Sequence, residues 1–313
     1  MTSGALTTSD VVRQSLTTKG VDRRGTLLSG ALLVGLLIVL GTLAVLIGDI
    51  LIQGWATLTS RGAEFATGAL NPDPALAGVG QGVVGSILLM VLVIVVSFPL
   101  GIGAAIYVEE YARDTRLTRV LTANIRNLAG VPSIVFGLLG LAVFVKVMAG
   151  VTGGRTVIAG GLTLAVLVLP IMVITASEAL RAVPQELRQA AYGVGATRWE
   201  VVRHHVLPVA APAIFTGAVL TIARAFGESA PLLLAGAIVG NFLSNGDMGI
   251  GQQLTEGKYT ALPIIVFNWA RQPQREFQEI TAAAIIVLLV LLFIVNGAAI
   301  VLRDRFERRS MYE

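Results

Sequence analysis

Arg224 and Glu228 stand four residues apart in an apolar run, Val206 to Gly246, that holds no other charge. A guanidinium is a planar fork of N–H donors that matches a tetrahedral oxyanion, and a carboxylate at i+4 would share its helical face. Ionisable groups inside a membrane span are costly enough to mark function by default, so the pair is a candidate substrate pathway. Arg224 would bind an anion, and Glu228 would hold the fork while limiting its pull, so that the anion can leave. The alternative is an ion pair that only pins helix packing.

A second polar constellation, RQAAYGVGATRWEVVRHHVLP at 188–208, lies between two hydrophobic segments. Pro184 suits the first turn of a helix, and Leu187, Ala190, Ala191 and Val194 follow the i, i+3, i+4, i+7 spacing of one apolar face. Gly193 and Gly195 interrupt that helix. Thr197 and Glu200 form the T-x-x-E pattern of a capping box and start a second helix, with Trp199, Val202 and Val206 on one side and Pro208 closing it. Two short helices joined by a glycine elbow make a rigid knob with small residues that admit a partner closely. The alternative is an amphipathic helix lying on the lipid interface.

Other chemistries are excluded. The chain has no cysteine, and its only histidines, His204 and His205, are adjacent, which rules out thiolate metal sites and makes a histidine-rich metal centre a poor reading. No G-x-x-x-x-G-K-[ST] occurs, so no Walker A loop cradles ATP here and any ATP-derived energy must come from a partner. GQGVVG at 80–85 satisfies G-x-G-x-x-G, but a span follows and no strand precedes it; it is expected to be a flexible outer approach to that span. Ser133, Ser177 and Thr221 could line a route for an anion or simply satisfy helix backbone.

These residues must be positioned by membrane helices. Of 313 residues 55% are hydrophobic and 13% charged, and the mean hydropathy is +0.79. That is a polytopic membrane composition, and the net charge of +4 gathers at the ends of apolar runs without forming a nucleic-acid-binding face. Five charge-poor runs are clear: Thr26–Ile47, one ending at Val108 with Pro99 inside, Leu128–Val145 with Pro132, Thr156–Ser177 with Pro170, and Ile280–Leu302. Arginines and lysines flank them at 19–24, 113–119 and 181–203, and the tail RDRFERR joins the same side only if Val206–Gly246 crosses once. The positive-inside rule then predicts six spans with both termini cytoplasmic. The mid-span prolines predict bent helices packed in a bundle. Residues 1–25 form a tail expected to be disordered, 26–303 a transmembrane domain, and 304–313 a basic tail. The first span is read as uncleaved. The outer loops, about 54–80 with Trp55, Arg61 and Glu64 and 241–279, could meet a binding protein.

The pattern A-A-x-x-x-G followed by L-P, here Ala190, Ala191, Gly195, Leu207 and Pro208, resembles the EAA loop of ABC-importer permeases. Two positions depart from it: Gln189 stands where the leading acid is usual, and His205 where an apolar residue is. ARAFGESAPLL at 223–233 resembles the R-A-x-G-E-[TS] signature of phosphate permeases, and NLAGVPSIVFGLLGL at 127–141 and AAIYVEEYA at 104–112 are similar to their spans. The stretch 169–199 and FNWARQPQREF at 267–277 resemble the PstA type among them. The resemblance implies an all-α integral membrane protein with six transmembrane helices and the type I ABC-importer permease fold, in the plasma membrane. It implies a phosphate importer in which residues 184–206 are the coupling helix region seated in an ATPase subunit, with Gln189, Ala190, Ala191, Gly195, Leu207 and Pro208 at that contact. Arg224 and Glu228 would serve phosphate passage. The implied partners are a PstC-type permease, a PstB-type ATPase dimer that binds ATP and magnesium, and a PstS-type phosphate-binding protein outside. This chain itself would hold no cofactor. A sulfate or molybdate permease, an ion-coupled secondary transporter and a membrane anchor for an ATPase are the competing readings.

Overall fold

The computed structural model describes residues 23–240 and 257–310. Residues 1–22 of the expected tail, part of the expected second outer loop and the last three residues lie outside that range, whereas 23–25 of that tail already belong to the first helix. The chain divides into two units, residues 1–50 and 51–313. In the first, the described residues belong to helix α1, Arg23–Thr67, and its leucine and valine side chains are exposed all round, as on a helix that faces hydrocarbon. Further along α1, Gly62 at φ 31° and ψ −108° breaks the helix.

The second unit is built on α2 (Gly80–Tyr111), α5 (Val157–Arg181) and α7 (Arg198–Gly227). Leu89, Met90 and Val93 of α2, Leu164, Leu167 and Val168 of α5, and Ile222, Ala225 and Phe226 of α7 close one apolar core. Among the described residues five helices are long and apolar enough to cross a membrane: α1, α2, α5, α7 and the last helix, α10 (Arg275–Ser310). A sixth crossing follows if the pair α3 (Arg116–Ala129) and α4 (Ser133–Val147) counts as one span. The all-helical six-span expectation fits this layout, with corrections to the details.

The third span is not a single bent helix from Leu128. It breaks by 101° between Ala129 and Ser133, where Pro132 has no N–H and disfavours helical backbone at Val131. α10 begins before Ile280 and continues past Leu302 to Ser310. GQGVVG is no flexible approach: it forms the first turns of α2, with Gly80, Gly82 and Gly85 buried. A Cβ at Gly85 would strike the carbonyl of Thr260, so glycine there lets two backbones touch.

Among the described residues of the run after Val206, one helix is long and apolar enough to cross, and it stops at Gly227. It is followed by the short α8 (Ala230–Leu234), an irregular stretch to Gly240, and, after residues 241–256, by Gly257–Ala261 and α9 (Leu262–Trp269). Non-helical backbone in a membrane protein needs partners inside the fold. Ile238 N–H donates to the Tyr259 carbonyl at 3.0 Å, and Leu262 N–H donates to Ser86 Oγ at 2.9 Å. α8 docks on α4, where a Cβ on Gly137 would lie 2.7 Å from Pro231 Cα. Gly137→Val is therefore expected to cost about 1–3 kcal/mol through overpacking. Melting of the purified protein in detergent measures this, with Gly103→Ala, whose Cβ meets nothing within 4 Å, as reference. Equal melting temperatures would disprove the tight contact.

Candidate functional site

The polar insert folds as its local pattern directs. Pro184, extended at φ −57° and ψ 141°, immediately precedes α6, Gln185–Gly193. Gly195 at φ 88° turns the chain in the left-handed region, which glycine enters without steric cost. Thr197 then caps α7: its Oγ1 accepts from Glu200 N–H at 3.4 Å, and its own N–H donates to Glu200 Oε2 at 2.7 Å. This is the expected capping box.

The faces are distributed differently from the sequence expectation. Ala191, Val201, Val202 and Val206 are buried, but Ala190 is exposed, Val194 is 87% exposed, and Trp199 is 54% exposed. Gln189, Ala190, Tyr192, Val194, Gly195 and Trp199 thus present an open surface of small and apolar groups. Pro208 does not close the second helix. The turn Val201–Val206 is π-helical, with Leu207 N–H donating to Val202 O. This widened turn takes up the missing donor of Pro208, and α7 continues to Gly227.

Sequence reasoning assigned no role to Arg188, the most buried charged residue of the insert. Its Nη2 donates to Glu110 Oε1 at 2.8 Å and to the Leu180 carbonyl at 2.8 Å, and its Nη1 donates to the Val183 carbonyl at 2.7 Å. The guanidinium therefore ties α6 to the end of α2 and caps carbonyls at the end of α5. Neighbouring Glu109 takes Arg181 in a bidentate pair, 2.7 Å from both Nε and Nη2. The quoted AAIYVEEYA held the signal, two adjacent acids at the end of a span opposite arginines at the end of another. The same end carries an open cavity of about 340 Å³ lined by Arg113, Arg119, Arg126 and Arg181.

Arg224 and Glu228 do come together, but not on one helical face. α7 ends at Gly227, and Glu228 is its extended capping residue at φ −81° and ψ 118°. Arg224 Nε lies 3.7 Å from Glu228 Oε1, an ion pair longer than a hydrogen bond, and the two side chains are 45% and 19% exposed. Ile222, Ala225 and Phe226 take the buried side of this last turn, and the Arg224 fork stays open. Thr221 Oγ1 is buried and donates to the Gly217 carbonyl at 2.8 Å, which makes it a backbone partner. Arg61, expected in an outer loop, lies in the last part of α1 and donates to the carbonyls of Pro74 and Ala77, so it pins the segment that follows the helix.

Residues 97–308 match the family model of the binding-protein-dependent transport system inner membrane component. The chain is 32% identical over 263 residues to the phosphate transport system permease protein PstA 1 of Mycobacterium tuberculosis (strain CDC 1551 / Oshkosh), covering 83% of this chain and 82% of that one. To the phosphate transport system permease protein PstA of Yersinia pestis it is 34% identical over 225 residues, 72% of each. To the probable ABC transporter permease protein YqgI of Bacillus subtilis (strain 168) it is 35% identical over 199 residues, 62% of this chain and 65% of that one. Among solved structures, a bacterial ABC transporter involved in the import of the acidic polysaccharide alginate superposes at a TM-score of 0.52 with 13% identity, covering 86% of this chain and 95% of that one. That likeness concerns the fold alone.

Thr197→Val removes the capping oxygen and is expected to cost about 1 kcal/mol in the first turn of α7. Hydrogen exchange should then quicken at residues 198–202 while α5 is unchanged. Unaltered exchange there would show that the cap does not hold the knob.

Proposed function

We propose a transport function from one premise: the chain belongs to the family of binding-protein-dependent transport system inner membrane components. It is a multi-pass membrane subunit with the type I ABC-importer permease fold, and that family works with an ATPase and a substrate-binding protein. The substrate we assign is inorganic phosphate, and the subunit type is PstA. The names of its relatives and the open Arg224 fork both support this. The partners on this reading are a PstC-type permease, a PstB-type ATPase dimer and a PstS-type binding protein. The basic helix ends face the cytoplasm, as do both termini.

One observation carries the mechanism. The knob and Arg224 occupy the two ends of a single helix, Arg198–Gly227. At 1.5 Å per residue, about 40 Å separates Arg198 from Arg224 along this rod. ATP and magnesium, bound by the partner ATPase, would close its dimer around the open surface of Gln189, Ala190 and Gly195. Ala191 is buried and acts by packing α6, whereas Gln189 supplies an amide where the family's acid is usual. Leu207 and Pro208 lie at the root of the rod, where the π-helical turn ends. A helix that starts in the knob and ends at the anion site converts ATPase closure into motion of that site. Alternation between inward-facing and outward-facing states follows.

Arg224 supplies a charge-assisted fork, and Glu228 at 3.7 Å moderates the site without occupying the fork. A metal-free phosphate dianion is held strongly enough to enter and weakly enough to leave. Sulfate or molybdate offers the same tetrahedral oxygens, so protonation state and pocket shape must discriminate. An ion-coupled transporter would want an unpaired carboxylate, and Glu228 has a cation beside it.

The test is ATP-driven uptake of radiolabelled phosphate into proteoliposomes holding the complete complex, with sulfate as competitor. Arg224→Gln is expected to reduce uptake by about 10- to 100-fold, the worth of hydrogen bonds to a charged group. Assembly with the ATPase, checked by size-exclusion chromatography, should be retained. Full uptake by an assembled Arg224→Gln complex would demote the pair to packing, and uptake suppressed by sulfate would reassign the substrate.

A further inference from the structure

The end of α2 joins three elements that the chain order keeps apart. Its last turn, Tyr107–Tyr111, is π-helical and sets two adjacent carboxylates toward different partners. Glu109 clasps Arg181 at the end of α5, and Glu110 clasps Arg188 in the middle of α6. A third contact comes from the next helix, where the Arg198 guanidinium lies 5.7 Å from the centre of the Tyr111 ring. Ala105 of α2, Met172 and Leu180 of α5, and Ala191, Val201 and Val206 of the knob share one apolar cluster behind these contacts.

The Glu110–Arg188 pair differs in kind from a surface ion pair. The side chains are 6% and 10% exposed, and the guanidinium also satisfies carbonyls of Leu180 and Val183. Apolar side chains of similar volume would serve stability as well or better at such a place. What a forked, multiply bonded pair provides is register, a fixed position of α6 against the ends of both α2 and α5. The covalent chain alone would tie the knob to α5 through the short link 182–184 and to α7, and would leave α2 unconnected to it. We propose that Glu110 and Arg188 are positioning residues that make α2 and α5 follow the knob, so that ATPase closure moves three membrane helices as one body. This rests on the ATP-driven import reading.

The reconstituted complex allows a test in which the two readings fail separately. The readout is the ratio of phosphate imported to ATP hydrolysed, for wild type, Glu110→Gln and Arg188→Gln. Hydrolysis is expected to persist in the variants while the ratio falls by roughly 5- to 150-fold, the usual span of coupling between sites. The chain contains no cysteine, so Glu110→Cys with Arg188→Cys can be rejoined by a bis-methanethiosulfonate reagent on the solubilised complex. Joining should raise the ratio, and dithiothreitol should lower it again, while the same reagent leaves the wild-type complex unchanged. A wild-type ratio in assembled glutamine variants would overturn the proposal, as would a crosslink that forms without restoring coupling. Where the glutamine variants do not assemble, Arg188→Lys keeps the charge but loses the fork, and a wild-type ratio for it is equally decisive against the proposal. A wild-type complex that hydrolyses ATP without importing phosphate would instead overturn the import reading itself.

Discussion

In hydrocarbon, every backbone N–H and C=O must find its partner within the protein. Continuous helices meet this demand along their length and fail it at their ends, where four groups of one kind are left over. The architecture can be read as a set of answers to that problem. Thr156 and Thr197 cap the N-termini of α5 and α7 with their hydroxyls. Ser86 serves the backbone of α9, and Arg188 reaches back to carbonyls at the end of α5. The groups to which function is assigned are concentrated at these ends, because there a polar side chain has a structural reason to be present.

Stiffness follows from the same constraint. α7 accommodates Pro208 and Pro212 without dividing, because the π-helical turn at Val201–Val206 shifts the hydrogen-bond register before Pro208. A break there would have isolated the knob from the proposed anion site at Arg224. α3 and α4 show the alternative, since the sequence around Pro132 has no such turn and the axis swings by 101°. The chain thus keeps one proline-bearing helix whole and breaks another.

Much of this was legible in the sequence, and what was not has a common cause. The capping box at Thr197 and Glu200 and the glycine elbow depend on neighbours within a few residues. The Glu110–Arg188 contact joins residues 78 positions apart, so the paired acids of AAIYVEEYA announce a cationic partner without saying which one. The packing of GQGVVG was missed because Thr260, the reason for Gly85, is far along the chain. Val194 turns outward because α6 ends at Gly193 and leaves it past the last helical position, and Trp199 stands in the first turn of α7 just before the π-helical turn that alters the period. The common face expected for Arg224 and Glu228 failed because α7 stops between them, at a glycine followed by a segment packed into the fold. Local periodicity describes a helix well until tertiary contacts decide where it ends.

The arginines of this bundle then divide by how tightly they are held. Arg181 and Arg188 meet carboxylates at 2.7 and 2.8 Å, and Arg188 gives further donors to carbonyls. A guanidinium used in this way has little left to offer a ligand, and its value lies in the position it enforces. Arg224 stands 3.7 Å from its carboxylate, with 45% of its side chain open. A tighter pair at Glu228 would neutralise the fork and make the anion compete for it, whereas no carboxylate at all would leave a cation that releases its anion slowly. The intermediate distance would suit the transport role proposed for this pair, in which the site must be vacated in every cycle. Arg188 and Arg224 occupy opposite ends of the assembly formed by α6 and α7, so on the proposed reading the end that would receive mechanical work is held tightly and the end that would meet the substrate is left open.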